Sequence, residues 1–358
     1  MKIGILTFHC AHNYGAVLQA YALQEYLKSL GHCVEVIDYR PEYLVKPYQQ
    51  RFIYYNNLIK LLGQLLWIPS RILRSRKFDR FIVSNLDLSP FPFNAKEMID
   101  KSYDAYVLGS DQIWNASITG GDPVFLGDFD RNEDSKIISY AASTEVQKHG
   151  ENVNFLNQAS YLANFSAISV REDIFNKQIQ PYLKKPVQTV LDPTLMVDSS
   201  IFDSLIVRKK SSKYILVYLM ADDVNVCDVI RSIKGVLDID KVIRLRGHVG
   251  IGDLLNKYAL SGPEDFVELF YNSDFVITTS FHGTAFAILF KKQFVSVVSE
   301  FRGSYRISSL LQALGLEDRM VYSINDIPKS NINYDIVESR LKELQKKSRD
   351  FLHQALAE

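Results

Sequence analysis

Ser280-Phe281-His282-Gly283-Thr284 places a serine, a histidine and a threonine within five residues. It follows an apolar run at 275–279 and opens another at 285–290, so it reads as the turn between a buried strand and a helix. Such a turn gathers backbone amides, hydroxyls and an imidazole at the carboxyl end of a strand, as recognition of a phosphate requires. His282 is the candidate acid or phosphate ligand, with Ser280, Gly283 and Thr284 around the same anion. A histidine there can also simply brace the turn; the strand-end position favours chemistry. Arg302 and Arg306 follow the next strand and are candidates for the second negative group of a small dianion.

Three other strand ends offer polar groups. Residues 104–109 run into Ser110-Asp111-Gln112-Ile113-Trp114-Asn115, a cluster that suits a sugar. Trp114 would supply a stacking face, Gln112 and Asn115 would bond hydroxyls, and Asp111 would bind the acceptor or act as base. A network that only ties the loop down is an equal alternative. Arg171, in Ser169-Val170-Arg171-Glu172-Asp173, has a planar fork that suits a carboxylate or phosphate, against a plain ion pair with Glu172 or Asp173. The first strand ends near Asn13, a helix cap, and Gly15, where a ligand or facing backbone can come close.

These turns need a scaffold of alternating strands and helices, and the periodicity supplies one. Strands are expected at 2–8, 33–39, 104–109, 137–142 and 165–170, then at 214–219, 241–245, 275–279 and 294–298. Helices are expected at 14–30, 153–163, 172–180, 224–233, 263–271, 284–290, 304–314 and 334–355. Gly31 is expected to close the first of them in a left-handed conformation. The fold class is therefore α/β, with two Rossmann-like domains facing across a cleft. The polar stretch Lys209-Lys210-Ser211-Ser212-Lys213 places the junction at 196–213, giving domains of 1–195 and 196–330 and a C-terminal helix, 331–358, packing back on the first.

The remaining composition narrows the function classes. A chain of 358 residues with 41 basic and 41 acidic side chains has no bulk charge for nucleic acid. Cys10, Cys33 and Cys227 form no CxxC pair, so no structural zinc or disulfide framework is readable. No GxGxxG, Walker, GxSxG or HExxH sequence occurs. The apolar start is too short for a signal peptide, which points to the cytoplasm.

Taken in order, these segments resemble the polysaccharide pyruvyl transferase family. The resemblance rests on Asn13-Tyr14-Gly15-Ala16-Val17-Leu18-Gln19, Val36-Ile37-Asp38-Tyr39, Gly109-Ser110-Asp111-Gln112-Ile113-Trp114-Asn115 and Ser169-Val170-Arg171-Glu172. It continues through Leu191-Asp192-Pro193-Thr194, Ser280-Phe281-His282-Gly283, and Arg306-Ile307 leading to Leu314-Gly315-Leu316. It implies a GT-B-like fold, phosphoenolpyruvate as donor, no cofactor, and a pyruvate ketal on a hexose of a surface or capsular polysaccharide precursor. It also implies a lipid-linked oligosaccharide as acceptor, with 42–103 assigned to acceptor choice. Under it, His282 and Asp111 are the catalytic candidates. Arg171, Ser280, Gly283, Thr284, Arg302 and Arg306 bind the donor, and Asn13, Gly15, Gln112, Trp114 and Asn115 bind the acceptor. The rivals are a GT-B glycosyltransferase using a nucleotide-sugar and a non-catalytic sugar- or anion-binding protein. Residues 53–80 add an apolar run and then Arg71, Arg74, Arg76, Lys77 and Arg80, a pattern that suits peripheral contact at the inner membrane face. Pro69 is expected to break the helix before those cations begin, and an ordinary packed helix pair is the alternative.

Overall fold

Short apolar runs separated by amphipathic stretches cannot pair as hairpins, so each strand crosses over a helix to a parallel neighbour. The computed structural model describes residues 1–49, 58–145, 153–207, 212–220, 226–247, 256–298 and 304–357. Its first sheet holds β1 (Lys2–Leu6), β2 (Cys33–Val36), β3 (Ala105–Gly109), β4 (Lys136–Ala142), β5 (Ala167–Val170) and β6 (Val187–Thr189). All its pairs are parallel, in the order β2-β1-β3-β4-β5-β6. The second sheet holds β7 (Ile215–Leu219), β8 (Val242–Arg246), β9 (Phe275–Thr278), β10 (Gln293–Val297) and β11 (Met320–Val321). It too is parallel, in the order β11-β10-β9-β7-β8. The expected two-lobed α/β architecture is what forms.

The helices of the first lobe are α1 (Tyr14–Ser29), α2 (Glu42–Gln49), α3 (Leu58–Asn85), α4 (Ala116–Thr119), α5 (Val153–Leu162), α6 (Asp173–Ile179) and α7 (Pro193–Met196). Those that follow are α8 (Val226–Leu237), α9 (Pro263–Asn272), α10 (Phe281–Leu289), α11 (Ser304–Leu314) and α12 (Tyr334–Ala357). Gly31 ends α1 at φ +84°, as its position requires. One expectation fails in α3, which runs through Pro69 as a single helix. Two strands, β6 and β11, were not expected: with three and two residues they are too short to show a period.

Each sheet reverses direction once. In the first, β1 lies between β2 and β3; in the second, β7 lies between β8 and β9. Loops leaving such a pair in opposite directions open a crevice at the carboxyl ends of the strands. The two lobes share one apolar cluster that includes Ile3 and Leu18 of the first and Leu216 and Phe266 of the second. Tyr14 stacks on Phe266 at 4.8 Å between ring centroids, and its hydroxyl donates to the Ser261 carbonyl at 2.8 Å. The last helix crosses to the first lobe: Gln345 Nε2 donates to the Leu195 carbonyl at 2.9 Å, and Ser348 Oγ accepts from Leu191 N at 2.9 Å. Among the described residues no helix is long and apolar enough to cross a membrane.

Candidate active site

A cavity of about 220 Å³ lies where the two sheet crevices meet. The first lobe contributes Asn13, Asp111 and Gln112 from the loops after β1 and β3; the second contributes Ser280, His282 and Arg306. Residues far apart in sequence converge here because both sheets place their switch-point loops on this side.

His282 stands in the first turn of α10, whose cap, Ser280, accepts from Gly283 N at 3.4 Å. Its ring is seated on α1 of the other lobe: a Cβ added at Gly15 would fall 2.0 Å from His282 Nδ1. Gly15 thus admits a side chain rather than the ligand or backbone expected of it. His282 Nε2 is buried without a hydrogen-bond partner and lies 3.6 Å from Asp192 Oδ2, beyond hydrogen-bond reach.

Asp192 is the hub of the site. Its Oδ2 accepts from Ser110 Oγ at 2.9 Å and from an Arg171 guanidinium nitrogen at 3.0 Å. Its Oδ1 accepts from the Thr194 amide at 3.0 Å and the Thr194 hydroxyl at 2.7 Å, capping α7. Burial alone would push this carboxyl up, but His282, Arg171 and Thr194 together hold it well below the usual carboxylate range. In the sequence Asp192 is one residue of the Leu191-Asp192-Pro193-Thr194 segment with no role assigned to it; only the fold brings Ser110, Arg171 and His282 to it.

Asp111 adopts φ +65° at the end of the β3 loop, a left-handed conformation unusual outside glycine and found disproportionately at functional loops. Its negative charge and, above all, burial push the nearby Tyr48 hydroxyl up to about 12. Tyr48, on α2, and Phe8 line the cavity as well, and neither stood out in the sequence because neither falls in a chemical motif. Arg306 stands in the first turn of α11, just after Tyr305, whose hydroxyl donates to the Thr144 carbonyl of the first lobe at 2.9 Å. Arg306 Nε is buried and has no hydrogen-bond partner. Among the described residues no group of three or more His, Cys, Asp or Glu side chains could hold a metal ion.

The polysaccharide pyruvyl transferase family matches residues 13–300. The chain belongs to that family. No protein of curated function matches it. Among solved structures, a putative UDP-N-acetylglucosamine 2-epimerase from Listeria monocytogenes aligns at TM-score 0.48 and 9% identity, covering 99% of this chain and 91% of that one. UDP-GlcNAc 2-epimerase from Neisseria meningitidis aligns at 0.45 and 12%, covering 99% and 94%. An O-GlcNAc transferase mutant from Thermobaculum terrenum aligns at 0.40 and 11%, covering 99% and 64%. Likeness at this level carries no argument about activity.

Several expected site residues of this pyruvyl transferase family member lie elsewhere. Trp114 is 1% exposed, packs edge-on against Phe165 and Phe175, and donates Nε1–H to the Phe125 carbonyl at 2.9 Å. It has no free face for a sugar. Asn115 caps α4 and donates to Gln112 Oε1 at 3.0 Å, so it braces the loop. Thr284 is fully buried, with its hydroxyl on the Ser280 carbonyl and Ser296 Oγ. Gly283 is where α10 meets β9: a Cβ would fall 2.2 Å from Thr278 Oγ1. Arg171 is buried, with Nε on Glu172 Oε1 at 2.9 Å, a second nitrogen on Asp192, and Phe281 under the guanidinium at 4.1 Å. Its charge is balanced by two carboxylates, which leaves it anchoring Asp192 instead of gripping a donor anion. Arg302 lies outside the described residues.

Asp38 of the Val36-Ile37-Asp38-Tyr39 segment builds a second buried cluster. His9 Nε2 lies 2.8 Å from Asp38 Oδ1, which also accepts from Arg40 Nε at 2.5 Å. These contacts join the ends of β1 and β2 under the Asn13 loop.

Proposed function

We propose that this protein transfers a pyruvyl group from phosphoenolpyruvate to two hydroxyls of a hexose in a polysaccharide precursor, forming a cyclic ketal. The observation that carries the reading is His282, unpartnered at Nε2 and backed by Asp192, in a cavity that also holds Arg306 and Asp111. His282 delivers a proton to the methylene carbon of the donor, and the charge of Asp192, 3.6 Å from Nε2, stabilises the protonated ring. The central carbon becomes electrophilic and a sugar hydroxyl attacks it. The bond between that carbon and the bridging phosphate oxygen then breaks, phosphate departs with the electron pair, and a second hydroxyl closes the ring. Of the two hydroxyl protons, one restores His282 and the other leaves with phosphate, so the step needs no oxidant or co-reactant. Arg306 and the first-turn amides of α10 hold the donor's negative groups. Asp111 takes the proton of the attacking hydroxyl and passes it on to the departing phosphate, while Asn13 and Gln112 hold the acceptor.

On this reading the acceptor side is residues 1–195 and the donor side 196–330, with 331–358 packing back on the acceptor side. The acceptor is a lipid-linked oligosaccharide, handled at the cytoplasmic face of the membrane. The test is incubation with phosphoenolpyruvate and lipid-linked oligosaccharides from the host's own surface-polysaccharide pathway, followed by mass spectrometry. A pyruvyl adduct with phosphate release is the expected result. Stabilisation by a nucleotide-sugar but not by phosphoenolpyruvate in a thermal-shift assay would overturn it.

A further inference from the structure

Phe281 and Arg306 line a second cavity as well as the first. It measures about 340 Å³ and is walled by α6, the end of β6, α11 and α12, where the last helix returns to the first lobe. Its charges are uneven. Lys177 pairs with Asp173 at 2.6 Å, and Arg171 is balanced by Glu172 and Asp192. Among the described residues neither Arg306 nor Lys347 has an ion-pair partner, and Arg306 Nε is buried without a hydrogen bond. The rest of the wall is mixed: Val190, Phe281, Leu310 and Leu344 give it an apolar side, and Thr189, Ser309 and Gln312 a polar one.

Two uncompensated cations beside the apolar side of a cavity suit an oxyanion head on a short apolar body. We propose that this second cavity binds a small amphiphilic anion, a carboxylate or phosphate on a short alkyl or similar chain, and that its occupant competes with the donor for Arg306. Anions in the two cavities would share the single positive charge of Arg306 and repel each other across it, so occupancy of either cavity weakens binding in the other by the same factor. The coupling rests on the reading of the His282 cavity as the donor site; binding in the second cavity does not.

The test is calorimetric titration of the full chain with octyl phosphate, octanoate and inorganic phosphate. Octyl phosphate and octanoate should bind one per chain, and inorganic phosphate, lacking the apolar body, at least about tenfold more weakly. Lys347→Glu, an exposed position on α12, should weaken octyl phosphate about tenfold or more. Ala313→Trp, at the wall, should abolish binding by filling the space. No saturable binding of octyl phosphate, binding unchanged in both variants, or inorganic phosphate binding as tightly would each overturn the site. Saturating octyl phosphate should raise the Kd for phosphoenolpyruvate severalfold in the wild type and leave it unchanged in Ala313→Trp. An unchanged wild-type Kd would overturn the coupling alone. Phosphoenolpyruvate that fails to bind the wild type at all would sink both the donor reading and the coupling, with the octyl phosphate result still standing.

Discussion

His282 matters through its neighbours as much as through its own imidazole. His282→Ala should lower pyruvyl transfer by about 10²–10⁴ while the protein stays folded, since a positioned acid is worth about that much. Product detected by mass spectrometry at near wild-type rate would exclude it. Gly15→Ala tests the geometry without touching the acid. The new Cβ falls on His282 Nδ1, so the ring must turn away, and a displacement of that size costs about 10² in rate. The melting temperature should hardly change, because the ring has the cavity to turn into. Asp192 adds a pH signature. Its carboxyl is depressed in the folded state, so the stability it confers is complete above its unfolded pKa of about 4 and is lost as pH falls toward the folded value. Asp192→Asn should therefore be less stable by about 3–5 kcal/mol near neutrality, as for a broken buried pair. That deficit should shrink in denaturation curves recorded at successively lower pH below about 4. An equal deficit at every pH would mean that Asp192 acts by shape and not by charge.

At the scale of single elements, the loop after β3 shows how a polar cluster can divide its labour. Asp111 and Gln112 face the cavity, whereas Trp114 and Asn115 hold the loop in place. Trp114→Phe should cost about 1 kcal/mol through loss of the bond to the Phe125 carbonyl, with the KM for acceptor unchanged. A large rise in that KM with unchanged stability would restore the stacking role. The sequence could not separate these parts, because side chains in one irregular loop have no fixed period that tells inward from outward. In α10 the periodicity did place the helix, and its start lies three residues earlier than the expected 284 because Ser280 takes over as cap.

For the molecule as a whole, α3 is a brace between lobes. Arg74 is 8% exposed and donates to the carbonyls of Arg246 at 3.2 Å and Gly247 at 2.8 Å, at the carboxyl end of β8. Lys77 pairs with Asp265 of α9 at 2.6 Å. Arg74 and Lys77 therefore cannot also hold lipid headgroups, which corrects part of the docking expectation for 53–80; residues 53–57 lie outside the described residues. Arg76 and Arg80 remain exposed. Arg74→Gln should lower stability by roughly 1.5–3 kcal/mol, the worth of charge-assisted hydrogen bonds, and leave sedimentation with anionic liposomes as in the wild type. Lost sedimentation at unchanged stability would return Arg74 to the membrane.

Sequence alone determined the alternation of strand and helix, the strand ends that carry polar groups, and the family. Those features are local: periodicity and motif order are written in neighbouring residues. Pairing across the chain was not. That Gly15 receives His282, that Asp192 gathers Ser110 and Arg171, and that Arg74 reaches β8 depend on how two sheets and their crossovers pack. Contacts between residues tens to hundreds of positions apart leave no trace in the spacing of either partner. Burial likewise decided which of two readings held for Trp114 and Arg171, since an exposed stacking face and a core indole have the same letter in the sequence.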